Sequence, residues 1–193
     1  VEALLHKCEA VGAVLAVDEC FLDFLPEGEG FSAKRLLKNS KNLIILKAFT
    51  KLYGMAGVRL GYCLCSDTEL LARMRAAGQP WAVSSLAQAA GIAALDETEY
   101  VAQVRALIET QRPVLADGLR ALGLRVIEGR ANYLLFRAPE ALGEALRRKG
   151  AVLRSCGNYP GLDASWYRTA VRTENENRQL LALLAETLPE VAQ

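Results

Sequence analysis

The sequence has no surplus of charge of either sign: 23 Lys and Arg stand against 22 Asp and Glu in 193 residues, a net charge of +1. Such a balance provides no basic surface for a phosphate backbone or an anionic membrane, which argues against nucleic-acid and membrane partners. Proline is scarce at 6 residues, and hydrophobic residues make up 52% against 23% charged, which excludes a disordered or collagen-like chain. No apolar run approaches the ~20 residues of a membrane helix, and no signal peptide is visible. Histidine is nearly absent: His6 stands alone on a helical stretch, where a surface or core role outweighs catalysis. The five cysteines (Cys8, Cys20, Cys63, Cys65 and Cys156) are odd in number, and no pair has the C-x2-C spacing of a zinc or redox site. They read as buried or incidental thiols of a reducing, cytoplasmic compartment, with no metal site among them.

What is present reads as α/β. Residues 2–11 carry a helical pattern that starts without a Met, as if cut from a longer chain. Gly12 to Val17 is a short apolar run suited to a strand buried on both faces, ending at Asp18-Glu19. A loop follows over 26–32, a short helix over 33–38 and a second buried strand over Leu43–Leu46. A Gly-containing turn spans 51–58, and Arg59 to Cys65 is a third strand, with Cys63 and Cys65 on one face. Asp67 is a helix N-cap for a run to Ala77, broken by Gly78-Gln-Pro80, and helix resumes from Ser84 to Leu95. Residues 98–121 form one long amphipathic helix with Pro113 as a kink or break. Strands at 124–127, 132–136, 151–154 and 167–171 then surround a helix at 139–149, and a last helix from Asn175 closes near Pro189. The length fits one large domain or two small ones at roughly 150 residues each. The change of rhythm divides the chain into a parallel α/β part, 1–97, and a compact α+β part, 98–193, with the long helix connecting them.

Ligands of parallel sheets sit beyond the carboxyl ends of the strands. Asp18 ends one such strand, Lys51 lies in the loop after the next, and Arg59 begins the third. An acid, an amine and a guanidinium therefore converge on one crevice. Each alone is a common surface residue. The order Asp, Lys 33 residues on and Arg eight further, with Tyr-Gly-Met-Ala-Gly between the last two, is far more specific.

The segment TKLYGMAGVRLGY resembles the cofactor-lysine segment of fold-type I pyridoxal-phosphate enzymes, the aspartate aminotransferase superfamily. The resemblance implies an aspartate aminotransferase-like large domain with parallel strands followed by a small α+β C-terminal domain. It also implies pyridoxal 5′-phosphate as cofactor and a homodimer. Lys51 maps to the lysine linked covalently to the cofactor, Arg59 to the arginine on its phosphate, and Asp18 to the aspartate beside its ring nitrogen. The chemistry agrees: a lysine loses its proton readily when desolvated or near another cation. A carboxylate keeps the ring nitrogen protonated so that the ring remains an electron sink, and arginine matches phosphate bidentately. Lys47, the competing lysine, lacks the Gly-rich turn and the Arg at the right distance. Phe21 stands where most of the superfamily has a tyrosine bonded to the cofactor, and Ala48 replaces a phosphate-binding Ser or Thr, leaving Thr50 as the nearby hydroxyl.

DECFLDFLPEGEGF, QPWAVSSLAQAA, GRANYLLFR and RSCGNYPGLDASWYRTAVR narrow the resemblance to the threonine-phosphate decarboxylase branch, which shares Phe21 and lies next to the histidinol-phosphate aminotransferases. That branch implies decarboxylation of L-threonine O-3-phosphate to (R)-1-amino-2-propanol O-2-phosphate in cobalamin biosynthesis. The rival is an aminotransferase for histidinol phosphate or a similar amino phosphate. A third reading, from another class, is a non-catalytic aminotransferase-like ligand-binding domain. Arg168 maps to the arginine that grips the substrate α-carboxylate. Arg154 and Arg172 are further cations for a phosphorylated substrate, or halves of surface ion pairs. Asn132 reaches the carboxylate or forms a turn, Tyr159 is a rim or packing residue, and Trp81 and Trp166 read as core aromatics. The family's first half, with its phosphate-binding loop and ring-stacking aromatic, is expected upstream of Val1, so this stretch alone is expected to bind the cofactor poorly and turn over nothing.

Overall fold

A computed structural model describes residues 1–191; residues 192 and 193, the last of the C-terminal segment, lie outside the described residues. The chain divides into two compact units, Val1–Ala102 and Gln103–Gln193, with the boundary inside a long helix. In the first unit, helix α1 (Glu2–Ala10) precedes strand β1 (Leu15–Asp18), a helical turn α2 (Gly28–Phe31) and a 3-10 segment (Ala33–Lys38). Strand β2 (Leu43–Ala48), the one-turn helix α3 (Phe49–Leu52), strand β3 (Gly61–Leu64) and helices α4 (Thr68–Ala77) and α5 (Ser85–Leu95) follow. The three strands form one sheet in the order β1-β2-β3.

β1 and β2 are parallel, with Asp18 level with Leu46. β3 corrects the expectation of a parallel sheet: it runs antiparallel to β2, Lys47 facing Tyr62. The cause is the connection, which holds only the single turn of α3 and so cannot carry the chain back across the sheet as a parallel crossover requires. β1 is also not buried on both faces, since Ala16 and Asp18 are exposed and Leu15 and Val17 half-buried. Among the described residues it is an edge strand, and only the side bearing Leu15 and Val17 packs on the cluster of Leu5, Ala33, Leu43 and Ile45. The loop expected over 26–32 contains the turn α2, and the helix at 33–38 is of the tighter 3-10 kind.

The cap expected at Asp67 is in place, and the structure adds one at Ser84. Asp67 accepts from the N–H groups of Glu69 and Leu70 at the start of α4, and Ser84 accepts from Ala87 at the start of α5. Trp81 departs from the core role expected of it. It sits at φ 59° in the link between these helices and is 93% exposed, outside both hydrophobic clusters. His6 is exposed and pairs with Glu9 across one turn of α1.

The boundary helix is α6 (Thr98–Ala121), unbroken despite Pro113. Burial of Leu115, Ala116 and Leu119 in the second core holds it through the lost hydrogen bond. Strands β4 (Arg125–Ile127), β5 (Tyr133–Arg137), β6 (Arg154–Ser155) and β7 (Trp166–Ala170) build an antiparallel sheet in the order β4-β5-β7-β6. β6 is shorter and later than the expected 151–154. α7 (Leu142–Arg148) and α8 (Glu174–Val191) complete the unit. One sheet face, with Leu134, Phe136 and Tyr167, joins Leu142, Leu146 and Leu184 in a continuous core. Each such apolar side chain contributes about 1.5–3 kcal/mol by leaving water. The Tyr167 hydroxyl ties strand to helix, donating to the Glu140 carbonyl at 2.6 Å and accepting from the Gly143 N–H at 3.2 Å. Trp166 lies half-buried on the other face, not in this core. α8 runs past Pro189 because Leu188 and Val191 still pack against the cluster.

α8 opens on a carboxylate that gathers the donors around it. Glu176 accepts from the Thr173 N–H at 3.2 Å and its hydroxyl at 2.7 Å, and Arg172 Nε donates to the same carboxylate at 2.7 Å. These bonds hold the Glu176 pKa at about 2 against an ordinary 4.5. A depressed carboxyl stabilises the fold fully above its unfolded pKa and loses that contribution as pH falls through its folded value. Acid titration followed by circular dichroism is therefore expected to show helix loss between about pH 4.5 and 2, and Glu176→Ala is expected to flatten that limb and lower stability at neutral pH.

Candidate active site

The carboxyl ends of β1 and β2 lie side by side, so the residues just beyond them meet. Asp18 is the last residue of β1, beside Leu46. β2 ends at Ala48 and turns directly into α3, which carries Thr50 and Lys51. Lys51 thus sits on a one-turn helix rather than in the Gly-rich turn expected of it. Gly54, at φ +65°, follows in the left-handed conformation that glycine adopts most readily. Gly61 lets β3 approach β2: a Cβ there would lie 2.9 Å from the Lys47 carbonyl oxygen. Arg59 does not begin β3. It occupies the turn before it at φ 59°, a left-handed backbone incompatible with a strand, and donates to the Ala56 carbonyl at 3.2 Å.

Three of the expected residues come together. The Lys51 Nζ lies 5.4 Å from the centre of the Phe21 ring, cation–π range. Asp18 Oδ1 accepts from the Cys20 N–H at 2.9 Å. Hydrogen bonds from the Cys20 thiol and N–H, with a smaller contribution from the Lys51 charge, hold Asp18 below its ordinary 3.8. Burial, and then Asp18 itself, push the Cys20 thiol up to about 11. At neutral pH the site therefore presents an ionised carboxylate, a neutral thiol and an exposed amine. Arg59 is an exposed guanidinium and Thr50 a half-buried hydroxyl on the same unit. This donor set fits a phosphorylated aldehyde cofactor: an amine outside any ion pair among the described residues, a guanidinium for phosphate, and a carboxylate that stays charged.

Sequence reasoning missed the cluster beneath. Lys47, its side chain 3% exposed, places Nζ 2.5 Å from Asp23 Oδ1 and 3.6 Å from Glu19 Oε2. Glu19 in turn accepts from the Ser32 hydroxyl at 2.9 Å and the Ala33 N–H at 2.7 Å. The signal was a lysine inside the apolar run Leu-Ile-Ile-Leu-Lys-Ala-Phe, which demands a buried acid. This pairing separates the two lysines, since the Lys47 ammonium is engaged in the interior and the Lys51 amine is open to solvent.

The remaining expected residues lie in the second unit. Arg168 and Arg154 are cross-strand partners on β7 and β6. The Arg168 guanidinium lies 4.9 Å from the Tyr133 ring centre, and Arg154 donates to Asn158 at 3.2 Å. Arg172 is spent on Glu176, the ion-pair alternative left open for it. The Asn132 backbone carbonyl accepts from the Val171 N–H at 2.9 Å, while its side-chain Oδ1 is buried without a hydrogen-bond partner among the described residues. Tyr159 is 44% exposed, which places it at the surface rather than in packing.

Residues 1–184 match the family described as aminotransferase class I and II. The threonine-phosphate decarboxylase of Salmonella typhimurium is 36% identical over 195 residues, covering 99% of this chain and 53% of that protein. The histidinol-phosphate aminotransferase of Symbiobacterium thermophilum is 37% identical over 180 residues, covering 92% of this chain and 48% of that protein. Among solved structures, the histidinol-phosphate aminotransferase of Clostridium acetobutylicum aligns with a TM-score of 0.89 at 30% identity, covering 97% of this chain and 58% of that one. The Sinorhizobium meliloti histidinol-phosphate aminotransferase, solved in complex with pyridoxal-5′-phosphate, shares the fold at a TM-score of 0.78 and 24% identity, over 98% of this chain and 52% of that one. The chain spans about half the length of the curated relatives it matches.

The two lysines are expected to respond oppositely to truncation. Lys47→Ala strands the buried Glu19 carboxylate and frees the half-buried Asp23, and should cost about 3–5 kcal/mol in denaturant unfolding, whereas Lys51→Ala, at an exposed position, should stay within about 0.5 kcal/mol of the parent chain.

Proposed function

Because the chain belongs to the aminotransferase class I and II family, whose cofactor is pyridoxal 5′-phosphate, we propose that it carries the cofactor-linking part of a decarboxylase acting on L-threonine O-3-phosphate, with (R)-1-amino-2-propanol O-2-phosphate and carbon dioxide as products. The observation that carries this reading is the pairing of the Lys51 amine with the Phe21 ring. Phe21 is the residue of the decarboxylase branch, and it offers an apolar face without the hydroxyl that a tyrosine would present. Similarity to the Salmonella typhimurium decarboxylase over 99% of the chain supports the same choice.

In this reading Lys51 holds the cofactor's aldehyde carbon, Asp18 its ring nitrogen and Arg59 its phosphate, with Thr50 as a further hydroxyl donor. When bound, the group supplies an electron sink for the pair left behind as a bond at the substrate α-carbon breaks. The chain's residues do the rest. Asp18 stays ionised, fixed by the Cys20 N–H and thiol, and so maintains a negative charge beside the ring nitrogen. Lys51, exposed and outside any ion pair among the described residues, is the general acid that returns a proton to the α-carbon. In the second unit Arg168 is the cation for the α-carboxylate, held over Tyr133, and Arg154, its strand neighbour, adds a second positive charge. Asn132 brings an unspent acceptor for a substrate donor. The reading includes a homodimer, as the resemblance implies.

A second reading, transamination of an amino phosphate such as histidinol phosphate, is supported by the 37% identity to the Symbiobacterium thermophilum aminotransferase. The test is a polypeptide in which the upstream half implied by the resemblance precedes this chain, loaded with pyridoxal phosphate. Mixed with threonine phosphate and no 2-oxo acid, it is expected to form aminopropanol phosphate and carbon dioxide by NMR, and Lys51→Ala to lower the rate about 10²–10⁴-fold. Reaction only with histidinol phosphate plus 2-oxoglutarate would establish the second reading instead.

A further inference from the structure

A row of side chains crosses three strands of the second unit. Arg125 on β4 stands opposite Arg137 on β5, and Arg137 opposite Trp166 on β7. Directly opposite residues share a sheet face, and like charges so placed disfavour an antiparallel pair. The two guanidinium groups are nonetheless both held in position. The Arg125 guanidinium carbon lies 5.6 Å from the Trp166 ring centre. Arg137 Nε donates to Ser165 Oγ at 2.8 Å, and a terminal nitrogen lies 3.5 Å from Asp163 Oδ2. Asp163 is further engaged by the Ser165 N–H at 2.9 Å and by the Ser165 hydroxyl. Among the described residues Arg125 has no carboxylate partner. Of these residues Arg125, Arg137 and Ser165 border an open groove of about 510 Å³, whose lining also includes Leu124, Pro139 and Glu140.

We propose that this groove binds a small phosphate monoester that also carries an ammonium group, with Arg125 and Arg137 on the phosphate and Glu140 on the ammonium. Asp163 already offsets the Arg137 charge, whereas Arg125 has only the Trp166 ring; a phosphate between the arginines supplies Arg125 with a counter-charge and shares Arg137 with Asp163, and the planar guanidinium matches two of its oxygens. Trp166 and Ser165 already restrain the two side chains, so binding orders little that is free. Glu140 brings the one carboxylate of the lining, which suits a ligand of mixed charge over a polyanion. The site uses residues of the second unit alone and does not rest on the reaction proposed for Lys51.

The test is an NMR titration of the ¹⁵N-labelled chain with O-phosphoethanolamine and, separately, with inorganic phosphate, read at the arginine Nε–H signals. Saturable shifts at Arg125 and Arg137 are expected. Arg125 and Arg137 are exposed, so Arg125→Ser and Arg137→Ser should keep the fold, which their spectra will report, and each should weaken binding by about tenfold or more. Glu140→Gln should weaken phosphoethanolamine and spare inorganic phosphate. Absence of saturable shifts, or an affinity unchanged from the parent chain in either arginine variant, would overturn the site; indifference of phosphoethanolamine to Glu140→Gln would overturn its ammonium contact.

Discussion

An ammonium group buried between strands must find its counter-charge in the interior, and Lys47 finds two. Asp23 and Glu19 meet it from beyond the end of β1, while Lys47 itself belongs to β2. Glu19 is also bonded by Ser32 and by the start of the 3-10 segment Ala33–Lys38. The carboxyl ends of two parallel strands and a covering segment are thus pinned at one point. Asp18 precedes Glu19 by one residue, and Lys51 follows Lys47 by one turn of backbone. The separation between the site's carboxylate and its amine is inherited from a buried ion cluster rather than from any contact between the two. A hydrophobic trio of similar volume would often be as stable, but it would lack the directional bonds that fix this register.

The second unit is organised by a different physics. Its sheet buries one face against α6, α7 and α8 through aliphatic and aromatic side chains, and places arginines on the other. Tyr167 bridges the two layers with its hydroxyl. Exposed ion pairs such as Arg178 with Glu174 add little by comparison. The open face is where the functional candidates stand: Arg168 over Tyr133, and Arg125 over Trp166. In both, an aromatic plane restrains a guanidinium without consuming its hydrogen-bond donors, which leaves it able to receive an anion. Arg172, spent on Glu176, shows the contrasting case of a cation that serves a helix end.

Much of the architecture could be read from local pattern. Apolar runs located the strands, and Asp67 marked a helix start by a chemistry that depends on the next three residues alone. What could not be read was whatever tertiary contact decides. The direction of β3 follows from the length and shape of its connection, and the one-sided burial of β1 from its place at the sheet edge. Pro113 and Pro189 fail to break their helices because buried neighbours hold the backbone. Trp81 misled because bulk and apolarity suggest a core, whereas its left-handed backbone sets it in an exposed link. Of the site, the order of Asp18, Lys51 and Arg59 along the chain was legible; the structure brings Asp18, Phe21 and Lys51 together and leaves Arg59 in the turn before β3, bonded to Ala56. The Lys47 cluster was not: only a structure shows that Glu19 and Asp23 turn inward to the same amine.

Lys51, and not Lys47, is the amine we propose as open to the cofactor. Borohydride reduction of the pyridoxal-phosphate-loaded polypeptide, followed by proteolysis and mass mapping, reads this directly, because reduction fixes the cofactor to the lysine that holds it. The label is expected on the peptide containing Lys51, with Lys47 unmodified. A label on Lys47, or one spread over Lys34, Lys38 and Lys41 as random surface reaction would give, would contradict it.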